Sequence, residues 1–119
     1  AGYVLSICSN KPQALCDRVL ADTNLADHFE IVVGGRAGLQ PKPAPDLLVA
    51  VLGELGAAPQ QCLFVGDSEL DHEIARNAAV PFHFVSYGYA AKGWVPQACP
   101  THSSFPGLID TIVANRRYA

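Results

Sequence analysis

The sequence predicts an α/β fold in which a parallel sheet forms the middle of three layers and helices cover both of its faces. Two observations support this. Four short apolar runs, typical of strands buried on both faces, are separated by segments with helical spacing of apolar residues. Glycine and proline punctuate the boundaries. The predicted strands lie at residues 4–8, 31–33, 63–65 and 82–85. Alternation of this kind indicates parallel pairing through right-handed helical crossovers.

The first predicted strand leads into a helix. Ser9 or Asn10 is a candidate N-cap for this helix, since short polar side chains satisfy the first free N–H groups. Pro12 suits the first turn, where no N–H partner is needed. The residues predicted to face inwards are Leu15, Val19 and Leu20.

The second predicted strand closes at Gly34 and Gly35, and a loop rich in glycine and proline follows to Pro45. The next helix has Asp46 in its first turn and Gly56 as a stop signal. Its predicted apolar stripe consists of Leu47, Leu48, Val51, Leu52 and Leu55.

The third predicted strand is followed by a helix that Asp67 or Ser68 starts. Its inward-facing residues are predicted to be Ile74, Ala75 and Ala78. A loop at residues 86–104 follows the fourth strand. A closing helix, with Arg116 and Arg117 at its negative end, is then predicted from Leu108, Ile109, Ile112 and Val113.

Composition excludes several classes of function. The 119 residues are enough for one domain, and 50% hydrophobic with 16% charged residues argues against disorder. A net charge of −3 offers no basic face for nucleic acid. No apolar stretch approaches the roughly 20 residues of a membrane helix, and no signal segment opens the sequence. We expect a cytoplasmic protein.

Cysteine and histidine are dispersed. The four cysteines, Cys8, Cys16, Cys62 and Cys99, include no C-x-x-C pair, so bystander thiols are favoured over a disulfide frame or a zinc site. The four histidines are interpreted as surface or packing residues.

Polar residues follow three of the predicted elements at positions that suit phosphate chemistry. Ser9 and Asn10 follow the first strand, Lys42 lies between two prolines, and Asp67 and Asp71 follow the third strand one helical turn apart. Strand carboxyl ends share one edge of a parallel sheet, where ligands bind. Mg²⁺ takes hard oxygen ligands, a rigidly held lysine neutralises phosphate oxygens, and a hydroxyl with backbone N–H groups binds phosphate. Helix caps and solvated side chains are the alternative interpretation.

These motifs, in this order, resemble the haloacid dehalogenase superfamily of phosphatases. The matching segments are Ser9-Asn10-Lys11, Lys42-Pro43-x-Pro45 and Gly66-Asp67-Ser68-x-x-Asp71, and residues 45–65 and 86–89 are most similar to the phosphoglycolate phosphatase branch. The resemblance covers roughly residues 3–114. It implies a Rossmann-like core and a small phosphorylated metabolite as substrate.

The resemblance also implies a role for each matched residue. Ser9 binds the transferring phosphoryl group, Lys42 stabilises it, Asp67 ligates Mg²⁺ and Asp71 supports the metal shell. Asn10 is a candidate phosphate-binding residue beside Ser9.

Two parts of the family pattern are missing. No Asp-x-Asp pair, the family's nucleophile and general acid, occurs anywhere in the chain, and no cap domain precedes the serine motif. We therefore expect residues 1–119 to be the incomplete C-terminal part of a core domain that lacks its central nucleophile strand, and to be inactive alone. A partner strand filling the gap, or closure of the two strand edges on each other, is the alternative. A smaller departure is Ala79, where the family often has glycine.

Two other functions remain open. A receiver-type phosphoacceptor signalling domain has a similar length and similar residues, but in the order acids, hydroxyl, lysine. A non-catalytic binding or scaffold remnant is the third hypothesis.

Overall fold

Five strands form two parallel sheets in the computed structural model, which describes residues 3–88, 94 and 99–114. Strand β1 (Ser6–Pro12) pairs with β2 (Ile31–Gly35). Strand β3 (Phe64–Gly66) pairs with β4 (Phe82–Val85), which pairs with β5 (Thr101–His102). The predicted α/β fold with parallel strands is confirmed.

Four helices connect or follow these strands. They are α1 (Gln13–Asp22), α2 (Asp46–Leu55), α3 (Glu69–Asn77) and α4 (Phe105–Ala114). None of the helices in the described part of the chain is long and apolar enough to cross a membrane.

Of the two hydrophobic clusters in the described residues, the larger one contacts both sheets. Val33 of β2 and Phe64 of β3 pack in the same cluster as the buried stripe of α2 and Ile74 of α3. The buried residues of that stripe are Leu47, Leu48, Val51 and Leu52. Within the described residues no hydrogen bonds pair β1 with β3. Packing against α2 and α3 is therefore what connects the two sheets.

The two central helices begin and end as the sequence predicts. Gly56 follows α2 in the left-handed conformation with φ 64°, which glycine adopts without a Cβ penalty. Ser68 caps α3, and its hydroxyl accepts a hydrogen bond from the Asp71 N–H at 3.2 Å. Ala79, just past α3, has φ 59°.

The predicted start of α1 is wrong. Strand β1 continues to Pro12, and neither Ser9 nor Asn10 caps the helix. Their side chains have other partners, since the Ser9 hydroxyl accepts from the Lys11 N–H at 3.1 Å and Asn10 reaches the backbone of Lys42.

The predicted inner face of α1 is partly wrong as well. Leu20 is buried together with Cys16, but Leu15 and Val19 are 49% and 46% exposed. The Gln13 side chain donates to the Val32 carbonyl at 3.0 Å and accepts from the Gly34 N–H at 2.7 Å. This amide attaches the first turn of α1 to β2. We attribute to this attachment the orientation of the helix that leaves Leu15 and Val19 exposed.

The chain from residue 86 onwards differs in one element. Strand β5 lies inside the segment predicted as a loop, because two residues, Thr101 and His102, give no recognisable apolar run. The closing helix is present but begins at Phe105. Arg116 and Arg117 lie outside the described residues.

Candidate active site

The carboxylate of Asp71 is the centre of the polar cluster that follows β3. Its Oδ1 lies 2.7 Å from the Lys42 ammonium nitrogen, and its Oδ2 accepts from the Asp67 N–H at 3.1 Å. Asp71 is 9% exposed. One carboxylate therefore fixes both the lysine and the backbone of the other acid.

Lys42 comes from the loop between β2 and α2, 29 positions before Asp71. Its side chain is 10% exposed, and its ammonium lies 5.3 Å from the centre of the Phe64 ring, within the range of a cation–π contact. A cation held this deeply needs its partner, because the desolvation of an unpaired buried charge is very costly. The positive charge is thus fixed at the carboxyl end of β3.

Two glycines permit close approach of the acidic side chains. A Cβ on Gly66 would overlap the Asp71 side chain, and a Cβ on Gly88 would overlap that of Asp67. Gly88 follows β4, so the Asp67 side chain lies against the segment that leaves the neighbouring strand. Both carboxylates therefore sit at the carboxyl edge of the β3–β4 pair.

This donor set is consistent with one direct carboxylate ligand for Mg²⁺. Asp71 has both oxygens engaged, by Lys42 and by the Asp67 N–H, which suits an orienting role. Asp67 offers hard oxygens, and Mg²⁺ commonly takes one or two carboxylates while keeping several waters. Among the described residues, no three histidine, cysteine or acidic side chains are placed so that they alone could hold a metal ion.

The end of β1 reaches the same place. The Asn10 Oδ1 accepts from the Lys42 N–H at 2.8 Å. Burial raises the pKa of the Cys8 thiol to about 11, Lys42 lowers it and Asp71 raises it, so this thiol lies within electrostatic reach of both charges. Ser9 lies between Cys8 and Asn10, and its hydroxyl contacts the Lys11 N–H.

The structure therefore brings together four of the five predicted site residues through direct contacts, namely Asn10, Lys42, Asp67 and Asp71. Ser9 belongs to the same strand end without a hydrogen bond to the other four in the described part of the chain. The contact of Asn10 is with the backbone of Lys42, a role that the sequence does not indicate.

Sequence reasoning missed two side chains around this cluster. Asn77 donates to the Pro43 carbonyl at 2.8 Å, and the charges of Lys42 and Asp71 act on the pKa of the Cys8 thiol. Asn77 is 34 positions from Pro43, and neither Asn77 nor Cys8 belongs to one of the matched motifs. Only the tertiary fold brings them to the site.

The chain is similar to known proteins over most of its length. A family model described as haloacid dehalogenase-like hydrolase matches residues 1–85. A phosphoglycolate phosphatase from Rhodospirillum rubrum is 43% identical over 91 residues, which are 76% of this chain and 38% of that protein. A plasmid-encoded phosphoglycolate phosphatase from Cupriavidus necator is 40% identical over 113 residues, 95% of this chain and 47% of that protein.

A crystal structure of a predicted phosphoglycolate phosphatase from Haemophilus somnus superposes with a TM-score of 0.83 at 28% identity, covering 92% of this chain and 50% of that one. The chain spans only about a third to a half of the length of these relatives. The match over most of this chain and the shared fold both lead to one assignment: the chain belongs to the haloacid dehalogenase-like hydrolases.

Proposed function

We propose that the chain contributes to a Mg²⁺-dependent phosphatase that hydrolyses small phosphorylated metabolites of the phosphoglycolate type. The observation that carries this proposal is the pair of Lys42 and Asp71, whose charged atoms lie 2.7 Å apart at the edge where Asp67 also lies. The two side chains are only 10% and 12% exposed. A fixed cation beside an acidic residue suits a transferring phosphoryl group, whose charge must be neutralised as bonds break. The activity named for the relatives supports the choice of substrate.

Each side chain has a distinct task in this proposal. The Ser9 hydroxyl donates a hydrogen bond to a phosphoryl oxygen, and the Lys42 ammonium neutralises a second oxygen. Asp71 holds Lys42 and the Asp67 backbone in place. Asp67 would hold Mg²⁺, which supplies further charge neutralisation at the phosphoryl oxygens when bound.

The attacking group lies outside these 119 residues in this proposal. A carboxylate oxygen of an Asp-x-Asp segment forms the bond to phosphorus, the substrate oxygen leaves with a proton from the second aspartate, and water then hydrolyses the aspartyl-phosphate. We propose that this segment forms a strand between β1 and β3 and reaches the site as part of a longer polypeptide or of a complementing chain. Two features support it: β1 and β3 share a core yet have no ladder between them in the described residues, and Val65 of β3 is 36% exposed.

The test is hydrolysis of 2-phosphoglycolate by the protein with its Asp-x-Asp segment present, with and without Mg²⁺. We expect Asp67→Asn and Lys42→Met each to lower kcat/KM by at least about a hundredfold, the scale of losing one preorganised charge contact. Glu73→Gln is the matched control on α3, since this carboxylate forms a surface pair with Arg76. Near-normal turnover in either site variant refutes the proposal.

A second measurement separates the phosphatase from a receiver domain. The chain alone is incubated with acetyl phosphate and Mg²⁺, and its mass is then determined. The phosphatase proposal predicts no retained phosphoryl group on the 119 residues, whereas a receiver would keep one on an acidic side chain.

A further inference from the structure

The Lys42–Pro43 dipeptide is held at its two ends by carboxamides from distant parts of the chain. The Asn10 Oδ1 accepts from the Lys42 N–H at 2.8 Å, and the Asn77 Nδ2 donates to the Pro43 carbonyl at 2.8 Å. Asn10 belongs to β1, and Asn77 is the last residue of α3. The two amides therefore tie the loop that carries Lys42 to strand β1 and to the end of helix α3.

These hydrogen bonds use scarce backbone groups. Pro41 and Pro43 have no N–H, so Lys42 supplies the one backbone donor across these three positions. That donor is taken by Asn10. At the other end of the Lys42–Pro43 dipeptide, the Pro43 carbonyl can only accept a hydrogen bond, so the NH₂ group of Asn77 must face it.

The position of this peptide determines where the ammonium of Lys42 lies. The side chain extends from the clamped backbone to Asp71, which belongs to the same helix as Asn77. Helix α3 thus holds the loop at two points, by a charged contact near its first turn and by an amide contact at its last residue. A shift of the loop relative to α3 would lengthen the 2.7 Å contact between the ammonium and Asp71.

We propose that Asn77 is a positioning residue for Lys42, and that it acts together with Asn10 as a two-amide clamp on the two ends of the Lys42–Pro43 dipeptide. Asn10, Pro43 and Asn77 are exposed, whereas the ion pair they position is buried. The clamp therefore affects the placement of the charge more than the overall stability of the fold. The proposal rests on the proposed function in one respect, namely that Lys42 is the lysine that neutralises the phosphoryl group.

The test measures the accessibility of the Lys42 amine without requiring catalysis. Folded protein is treated with a limiting amount of acetic anhydride, and mass spectrometry gives the acetylation of Lys42 relative to exposed Lys11. The same ratio in urea corrects for intrinsic reactivity. The wild-type ratio is expected to be low because the Lys42 amine is buried and paired.

Removing the clamp should raise this ratio. In Asn77→Ala we expect a three- to ten-fold increase of Lys42 acetylation, about the factor for losing one hydrogen bond of ordinary strength. Asn77→Gln, which keeps the donor, should return the ratio towards the wild-type value. Arg76→Ala is the matched control, since this neighbouring side chain contacts Glu73 and not the loop, and it should leave the ratio unchanged.

An unchanged Lys42 ratio in Asn77→Ala overturns the proposal, whatever Asn10→Ala does. Asn77→Asp, which keeps the size of the side chain but donates no hydrogen bond, provides the same decision if the alanine variant does not fold. A purely structural role would shift the urea midpoint without favouring Lys42 over Lys11. The acetylation experiment uses no phosphorylated substrate. Its result therefore stays valid even if the protein is shown not to be a phosphatase.

Discussion

The two strand ends that meet at the site are constructed in opposite ways. The backbone at the end of β3 is held by local hydrogen bonds, from the Asp67 N–H to Asp71 and from the Asp71 N–H to Ser68, and Asp71 also pairs with Lys42. The end of β1 is exposed from Asn10 onwards, and its register with β2 shifts between Cys8 and Pro12. Its Asn10 contacts Lys42, 32 positions away.

This difference separates two tasks within one site. The β3 end holds fixed charges in a buried environment, where small displacements change electrostatic energies strongly. The β1 end is exposed from Asn10 to Pro12 and carries the half-buried Ser9, to which our proposal assigns the contact with the phosphoryl group. We therefore expect substitutions at the β3 end to destabilise the protein more than those at the β1 end.

The largest effect should come from Asp71→Ala. This change leaves Lys42 as a buried charge without its carboxylate and the Asp67 N–H without its acceptor. Breaking a buried pair in this way typically costs about 3–5 kcal/mol, and urea denaturation monitored by circular dichroism would measure it. Glu73→Ala on the same helix removes a surface pair that is 67% and 43% exposed and should cost at most about 1 kcal/mol. Equal losses in the two variants would contradict the comparison.

A smaller loss is expected from Gly66→Ala. The new methyl group would overlap the Asp71 side chain, so the strand end must shift at a cost of about 1–3 kcal/mol. Gly53→Ala is the matched control, because nothing lies within 4 Å of a Cβ at this position of α2. It should stabilise the protein by about 0.5–1 kcal/mol through helix propensity. The melting temperature should therefore fall in Gly66→Ala and rise in Gly53→Ala. A melting temperature of Gly66→Ala that does not fall would show that Gly66 is not tightly packed.

The last effect is a dependence of stability on pH that comes from Cys8 of β1 and appears only in alkaline solution. Burial raises the pKa of this thiol from 9.0 to about 11 in the folded chain. The folded state thus holds the proton more tightly than the unfolded state, so the contribution of Cys8 is complete below pH 9 and is lost as the pH rises towards 11. Wild type should lose more unfolding free energy between pH 8 and pH 10.5 than Cys8→Ala does. Parallel pH profiles of the two proteins would contradict the assignment.

Much of the fold could be predicted from local patterns. The stripe of α2, its glycine stop and the serine cap of α3 each involve residues within one or two helical turns, and each is found as predicted. The start of α1 was wrong because Ser9 and Asn10 have partners outside the helix. Strand β5 escaped prediction because two residues carry no periodicity.

The site divides along the same line. The relation of Asp67 to Asp71 follows from helical spacing, and the meeting of Lys42 with Asp71 follows from the rule that strand ends share an edge of the sheet. The contact of Asn77 could not be predicted, because it depends on how a loop with three prolines lies against the end of α3. The assigned roles of Ser9, Asn10, Lys42, Asp67 and Asp71 remain predictions for the experiments above.

The alanine at position 79 offers a practical route to those experiments. An L-residue at φ 59° is strained by roughly 1–2 kcal/mol relative to glycine, because its Cβ crowds the backbone. Ala79→Gly should recover part of that strain at a turn outside the polar cluster. A background reinforced in this way would tolerate the more damaging substitutions, so that loss of function could be distinguished from loss of folding.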